Sequence, residues 1–145
     1  MPLRSRITTE GLDRAPHRAF YRAMGLSDED LGKPQVGIVH FKGDQTPCNQ
    51  THGFQVDAAR LGIAAAGGVP REFAAPSVSD GISMNHEGMK YSLVSRELVA
   101  DTIEATVNGL AYDALLGFGG CDKTLPGVML GMVRVNVPAI FLYGG

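Results

Sequence analysis

Apolar positions along the chain recur with two different periods, and the two alternate. Val99, Ile103 and Val107 return every fourth residue, which puts them on one stripe of a helix expected from about Ser95 to Asn108. Val56, Ala59, Ile63 and Ala66 do the same for a helix from about Phe54 to Ala66, with Gly67 as a natural stop. Between such segments stand short, nearly continuous apolar runs that read as strands: Gln35 to His40, a buried one, Ala114 to Phe118 and Pro138 to Tyr143. Glu72 to Val78 is a further strand candidate, although Pro76 inside it cannot donate to a ladder. Ala15–Pro16 opens a first helix that ends at Gly25, and Ser27 with Asp30 forms a capping-box-like start for a short second one. Pro126 opens a helix over roughly Gly127 to Arg134, and a long loop spans Ser79 to Ser92.

Strand and helix thus alternate from end to end. That pattern predicts the α/β class: a mostly parallel sheet of about four strands flanked by helices. The sequence stops at Gly144–Gly145 directly after a strand, where a wound α/β fold continues into a loop and helix, so a truncated domain is expected. No internal repeat, low-complexity tract or linker interrupts the alternation.

Composition narrows the function classes. The 145 residues carry 13 basic and 15 acidic side chains, a formal charge of −2, without a run of one sign. Nothing there selects nucleic acid or a membrane surface as partner. The arginines near Met1 lead into no apolar h-region, and no stretch reaches the roughly 18 apolar residues that span a bilayer, so a cytoplasmic protein is expected.

In open parallel sheets, ligands bind beyond the carboxyl ends of the strands. Three loops leave such ends here, and each bears a reactive group: Cys48 in the first, Asp80 in the second, and Cys121, Asp122 and Lys123 in the third. A reducing compartment argues against a disulfide between the two cysteines. They are either unrelated buried thiols or paired ligands at one rim. Sulfur suits iron or an iron–sulfur cluster, and carboxylate oxygen suits Mg²⁺. An ammonium ligates no cation; Lys123 becomes a ligand only as a carbamate, and taken alone it reads as a solvated surface charge.

Ordered blocks carry a resemblance across essentially the whole chain: Arg14 to Arg18, Ala66 to Pro70, Ser79 to Glu97, and Cys121 to Gly127 with Gly131, followed by Val135 to Phe141. The Cys121 to Gly127 block resembles the signature of the dihydroxy-acid and phosphogluconate dehydratase family, and the Ser79 to Glu97 block is similar to its dihydroxy-acid branch. The resemblance implies that residues 1–145 are the amino-terminal part of a cluster- and Mg²⁺-binding α/β domain within a larger two-domain enzyme. It implies Cys48 and Cys121 as ligands of an iron–sulfur cluster (two irons or four), and Asp80, Asp122 and carbamylated Lys123 as Mg²⁺ ligands. The implied reaction dehydrates 2,3-dihydroxy acids to 2-keto acids in branched-chain amino-acid biosynthesis, in a homodimer. A base serine, a third cluster cysteine and the carboxyl-terminal domain have no counterpart in the chain, so the piece by itself is expected to be inactive. Sugar-acid dehydration, or a non-catalytic α/β module, are the competing readings. His86 and Glu87 are either substrate contacts or helix-entry groups. His17, His40 and His52 are expected to be satisfied polar side chains, Ser92 and Ser95 helix-start residues, and Met84, Met89, Met129 and Met132 core or interface fillers.

Overall fold

A computed structural model describes residues 2–144. Four strands, β1 (Gln35–His40), β2 (Val69–Ala74), β3 (Ala114–Gly119) and β4 (Ala139–Tyr143), form one sheet in the order β2-β1-β3-β4, and every pairing is parallel. The helices are α1 (Arg6–Thr9), α2 (Ala15–Ala23), α3 (Asp28–Leu31), α4 (His52–Ala65), α5 (Asp80–Ser83), α6 (Lys90–Gly109) and α7 (Thr124–Val135). The anticipated sheet of about four parallel strands flanked by helices is therefore what the chain forms.

Two cores lie on opposite faces of that sheet. On one face Val39 and Leu115 meet Val99, Ile103 and Val107 of α6 and Val128 and Val135 of α7. On the other, Ile38 and Phe118 meet Val56 of α4. The stripe of Val99, Ile103 and Val107 is fully buried, as its period requires. Helices α6 and α7 approach closely because α7 is glycine at the contact. A Cβ on Gly127 would lie 2.9 Å from the Arg96 carbonyl oxygen, and one on Gly131 would lie 2.8 Å from Ile103. Gly67 ends α4 at φ +83°, a backbone state that only glycine adopts without strain, and Gly68 N–H caps the Ile63 carbonyl.

At the opposite end of the sheet from the site, Asp113 gathers the amino-terminal segment. Its carboxylate accepts from Ser5 N–H at 3.0 Å, Ser5 Oγ at 2.7 Å and Gln35 N–H at 2.8 Å, which pins α1 to the start of β1. Ser27 and Asp30 form the full reciprocal capping box of α3.

Several boundaries differ from the sequence reading, and the loop expected over Ser79–Ser92 holds α5 and a 3₁₀ turn at Glu87–Met89. Strand β2 covers Val69–Ala74 rather than Glu72–Val78. It is an edge strand: Val69 and Ala75 N–H donate to the Pro34 and His40 carbonyls of the β1 side, so the alternation turns the nitrogen of Pro70 to the free edge, where no donor is needed. Helix α4 starts at His52, two residues early. Helix α6 starts at Lys90 rather than Ser95, so Ser92 and Ser95 are buried interior residues and not caps. Helix α7 starts at Thr124, with Pro126 still in the first turn, where its missing N–H leaves nothing unpaired. Of the methionines, Met132 packs against the core, while Met84, Met89 and Met129 are exposed.

Candidate functional site

The carboxyl ends of β1 and β3, and the chain after β2, lead into the three loops that carry the reactive groups. After β1 the chain runs to a 3₁₀ turn over Pro47–Asn49 that holds Cys48. After β3, Gly120 and Cys121 turn into α7. The turn is built by Thr124: its Oγ1 accepts the Cys121 N–H at 2.9 Å and the Gly120 N–H at 3.2 Å, and donates to the Cys121 carbonyl at 3.0 Å. Thr124 is completely buried, so these bonds meet no competition from water.

This arrangement brings the two cysteines together. Cys48 Sγ and Cys121 Sγ are 3.5 Å apart as free thiols, and Thr46 Oγ1 lies 3.6 Å from Cys121 Sγ. Burial pushes the Cys121 thiol up, but hydrogen bonds from the side chains of Thr46, Cys48 and Ser79 and from the Asp122 backbone outweigh it. The net result is a thiol more acidic than usual. The shift favours the thiolate, the form of a cysteine that binds metals.

The oxygen-bearing side chains converge on Lys123. Its Nζ donates to Asp80 Oδ2 at 2.8 Å and to Asp122, and Ser92 Oγ donates to the second Asp80 oxygen at 2.5 Å. Burial pushes Asp80 up, yet the hydrogen bonds from Lys123 and Ser92 and the lysine charge hold it below the usual carboxylate range. The Asp122 and Asp80 hydrogen bonds hold Lys123 above the usual ammonium range. Asp80 and Lys123 are mostly covered, with about a fifth of each side chain exposed, whereas Asp122 is largely exposed.

Cys48 with Cys121, and Asp80 with Asp122 and Lys123, are therefore two clusters on one rim. Ser79, adjacent to Asp80, is also among the side chains that acidify Cys121, so one short segment serves both clusters. Among the described residues no three His, Cys, Asp or Glu side chains stand close enough to hold a metal ion by themselves. The ammonium of Lys123 lies between the two carboxylates.

The remaining polar candidates separate cleanly. His86 closes the Glu87–Met89 turn, its Nδ1 accepting from Gly88 N–H at 3.0 Å, and Glu87 pairs with Lys90; both serve helix entry. His17 lies exposed on α2. His40 is satisfied at both nitrogens, by Glu72 at 3.0 Å and Lys42 N–H at 3.0 Å. His52 is not: Nδ1 accepts from Phe41 N–H at 3.2 Å, and Nε2, fully buried, meets no partner among the described residues. Sequence reasoning missed Thr46, Ser79, Ser92 and Thr124. The legible signal was a hydroxyl three residues after Cys121, the spacing at which Thr or Ser folds back on a preceding turn.

No described helix is long and apolar enough to cross a membrane. The family described as dihydroxy-acid/6-phosphogluconate dehydratase N-terminal matches residues 33–145. A protein called dihydroxy-acid dehydratase 3, from Bradyrhizobium diazoefficiens, is 76% identical over 143 residues, covering 99% of this chain and 25% of the relative. Dihydroxy-acid dehydratase 2 from Bordetella bronchiseptica is 60% identical over 142 residues, covering 98% and 25% respectively. Dihydroxy-acid dehydratase from Pelagibacter ubique is 54% identical over 143 residues, with 99% and 25% covered. The chain spans about a quarter of the length of these curated relatives. With a matching family over most of its length, and the Ser79–Glu97 and Cys121–Gly127 blocks meeting at the carboxyl end of one sheet, the chain belongs to the dihydroxy-acid/6-phosphogluconate dehydratase family.

Proposed function

We propose that the chain is the amino-terminal part of the cluster- and Mg²⁺-binding domain of a cytoplasmic, homodimeric dihydroxy-acid dehydratase. The whole enzyme removes water from 2,3-dihydroxy-isovalerate and 2,3-dihydroxy-3-methylvalerate to give 2-keto acids for branched-chain amino-acid biosynthesis. The observation that carries the reading is the convergence of two thiols and two carboxylates from three loops at the carboxyl rim of one parallel sheet.

The donor set fits the cofactors the family implies. Cys48 and Cys121 would hold an iron–sulfur cluster, and Asp80, Asp122 and Lys123, the last as its carbamate, would hold Mg²⁺. When bound, these groups supply Lewis acidity toward the departing C3 hydroxyl and toward the substrate carboxylate and C2 hydroxyl. Two thiolates under-ligate such a cluster, so a third donor comes from the rest of the enzyme. The chain's own residues prepare the rim. Thr124 fixes the Cys121 turn, Thr46 and Ser79 favour the Cys121 thiolate, and Ser92 fixes one oxygen of Asp80. Lys123 keeps the carboxylate pair charge-compensated until a cation enters.

The test is made on the full-length enzyme that carries these residues. Purified and reconstituted without oxygen, it should bind iron and turn over branched 2,3-dihydroxy acids. Cys48→Ser and Cys121→Ser should each lose iron, and Asp80→Asn should lose activity while keeping iron. Turnover of aldonic acids in preference to the branched acids would move the assignment to the sugar-acid branch. Full iron and full activity in both serine variants would remove the cysteines from the site.

A further inference from the structure

The face of the sheet that carries α4 is only half covered. Helix α4 packs over β1, but beside it Leu116 of β3 and Ile140 and Leu142 of β4 face outward on the same side, paired Leu116 with Ile140 and Phe118 with Leu142. Ile140 is 62% exposed and Leu142 is 43% exposed. Two apolar hollows of about 460 and 430 Å³ share Ile63 and Leu116 and so form one continuous groove between α4 and β4. Ala58 and Gly62 of α4 form its helical wall, small residues four apart that leave room for close approach. Parallel sheets occur almost only with both faces covered, so an open apolar groove on one face calls for a covering segment.

Connection handedness says which occupant. Helix α4 joins β1 to β2 in one direction across the sheet, and α7 joins β3 to β4 in the other. Right-handed crossovers therefore place them on opposite faces. A crossover from β4 to any strand beyond its free edge continues the α7 direction and lies on the α7 face. The groove must be filled by a segment that is not that crossover. The relatives supply ample chain: they are about four times as long as this one.

A second observation marks one end of the groove. Gln55 lines it, and among the described residues neither its buried Oε1 nor the buried Nε2 of His52 has a partner. Both crowd Gly144, where a Cβ would lie 2.6 Å from Gln55 Oε1 and 2.7 Å from His52 Nε2. With Nδ1 accepting a backbone proton, His52 Nε2 is the protonated nitrogen and a donor. One buried donor and one buried acceptor side by side beside Gly144 are groups that further chain at this end of the groove would satisfy.

We propose that this groove is the seat of an amphipathic helix supplied in cis by the remainder of the longer protein, reached after the sheet is complete, with one end at Gln55 and His52. The inference is independent of the metal chemistry and fails separately from it.

Gly62→Cys is the probe, because a Cβ there meets nothing within 4 Å and the substitution perturbs no contact of this chain. In the full-length protein, labelling of the introduced thiol is read by peptide mapping against the urea-unfolded protein. The expected result is labelling about 100-fold or more slower in the native state, at every protein concentration. Labelling within about tenfold of the unfolded rate overturns the proposal, and so leaves the groove open or awaiting a foreign partner. Protection that disappears on dilution overturns it in favour of a second copy. Hydrogen exchange of the unmodified protein over residues 58–65 and 139–143 gives the same readout without a substitution.

Discussion

Replacing Thr124 by valine isolates what one hydroxyl does for the cysteine rim. Valine has nearly the shape of threonine, so no cavity opens and the buried contacts of the methyl survive. The Oγ1 atom is lost, and with it the acceptor for the Gly120 and Cys121 N–H groups and the donor to the Cys121 carbonyl. At a fully buried position the two N–H groups find no water. Leaving a buried donor unpaired costs about 1–3 kcal/mol each, and the turn recovers part of this by relaxing, so the expected destabilisation is about 2–4 kcal/mol. Thr124→Ser keeps Oγ1 and loses a methyl, which costs about 1 kcal/mol. Urea unfolding of the chain, followed by circular dichroism, reads both. A second readout is local: with the turn loosened, Cys121 should titrate higher in the valine variant and unchanged in the serine variant. A valine variant within about 0.5 kcal/mol of wild type, or a serine variant as unstable as the valine one, refutes the argument, because either result makes the bonds to Oγ1 dispensable.

Gly127→Ala should destabilise the chain by about 1–3 kcal/mol, since its Cβ meets the Arg96 carbonyl, a backbone atom that yields only by moving α6; an unchanged denaturation midpoint refutes this. Asp30 has its pKa lowered from 3.8 to about 2, first by the Ser27 hydroxyl, so the stabilisation is present above 3.8 and lost as pH falls through about 2. An NMR titration should place the Asp30 midpoint near 2 in wild type and higher in Ser27→Ala. His52 has its pKa lowered by burial, with a smaller contribution from His40, so the unfolded chain binds the proton first and stability declines as pH falls below 6.5. His52→Leu should flatten that slope in urea unfolding between about pH 7 and 5. Lysine-selective acylation at high pH should modify Lys123 slowly in wild type and faster in Asp80→Asn, which removes one of the two carboxylates that raise its pKa.

The fold was legible where periodicity decides it. The buried strands and the stripe on α6 follow from apolar spacing alone, and the edge strand β2 was misplaced because its polar residues and Pro70 report an unpaired edge rather than a core. Helix starts read from the sequence fall late at α4, α6 and α7: polar His52 and Ser92 look like loop residues, and Pro126 looks like the residue that opens α7, which begins two residues earlier. His52, Ser92 and Thr124 are each buried instead, because a partner outside its own helix holds at least one of its polar atoms: the Phe41 backbone on His52 Nδ1, Asp80 on Ser92, and the Cys121 turn on Thr124. Such partners lie 11 and 12 residues away in two of the cases, beyond what local patterning registers. The reactive residues themselves were legible as strand-end groups. Their support was not, since a hydroxyl shows its role only once the loops meet.

On the proposed reading, the charge at the rim explains why Lys123 would suit both states of the site. With its ammonium between the two carboxylates, the trio carries one net negative charge. On the proposed reading, CO₂ adds to the neutral amine and the lysine changes from cation to anion, so the same trio carries three negative charges. A bound dication returns it to one. The loaded and unloaded sites therefore present the same net charge to the surrounding protein, and neither step is favourable alone. Carbamylation without the cation gathers three anions at a mostly covered position, while the cation without carbamylation faces an ammonium held in its place. The two events are coupled by electrostatics. The raised Lys123 pKa sets the sign of the pH dependence: neutral amine becomes scarcer as pH falls, so Mg²⁺ should bind more weakly at low pH and more tightly with added bicarbonate. Calorimetric titration of Mg²⁺ into the full-length protein, with and without bicarbonate, measures the coupling. An affinity that ignores bicarbonate while Asp80→Asn still abolishes binding would leave Asp80 as a ligand and remove the carbamate from the site.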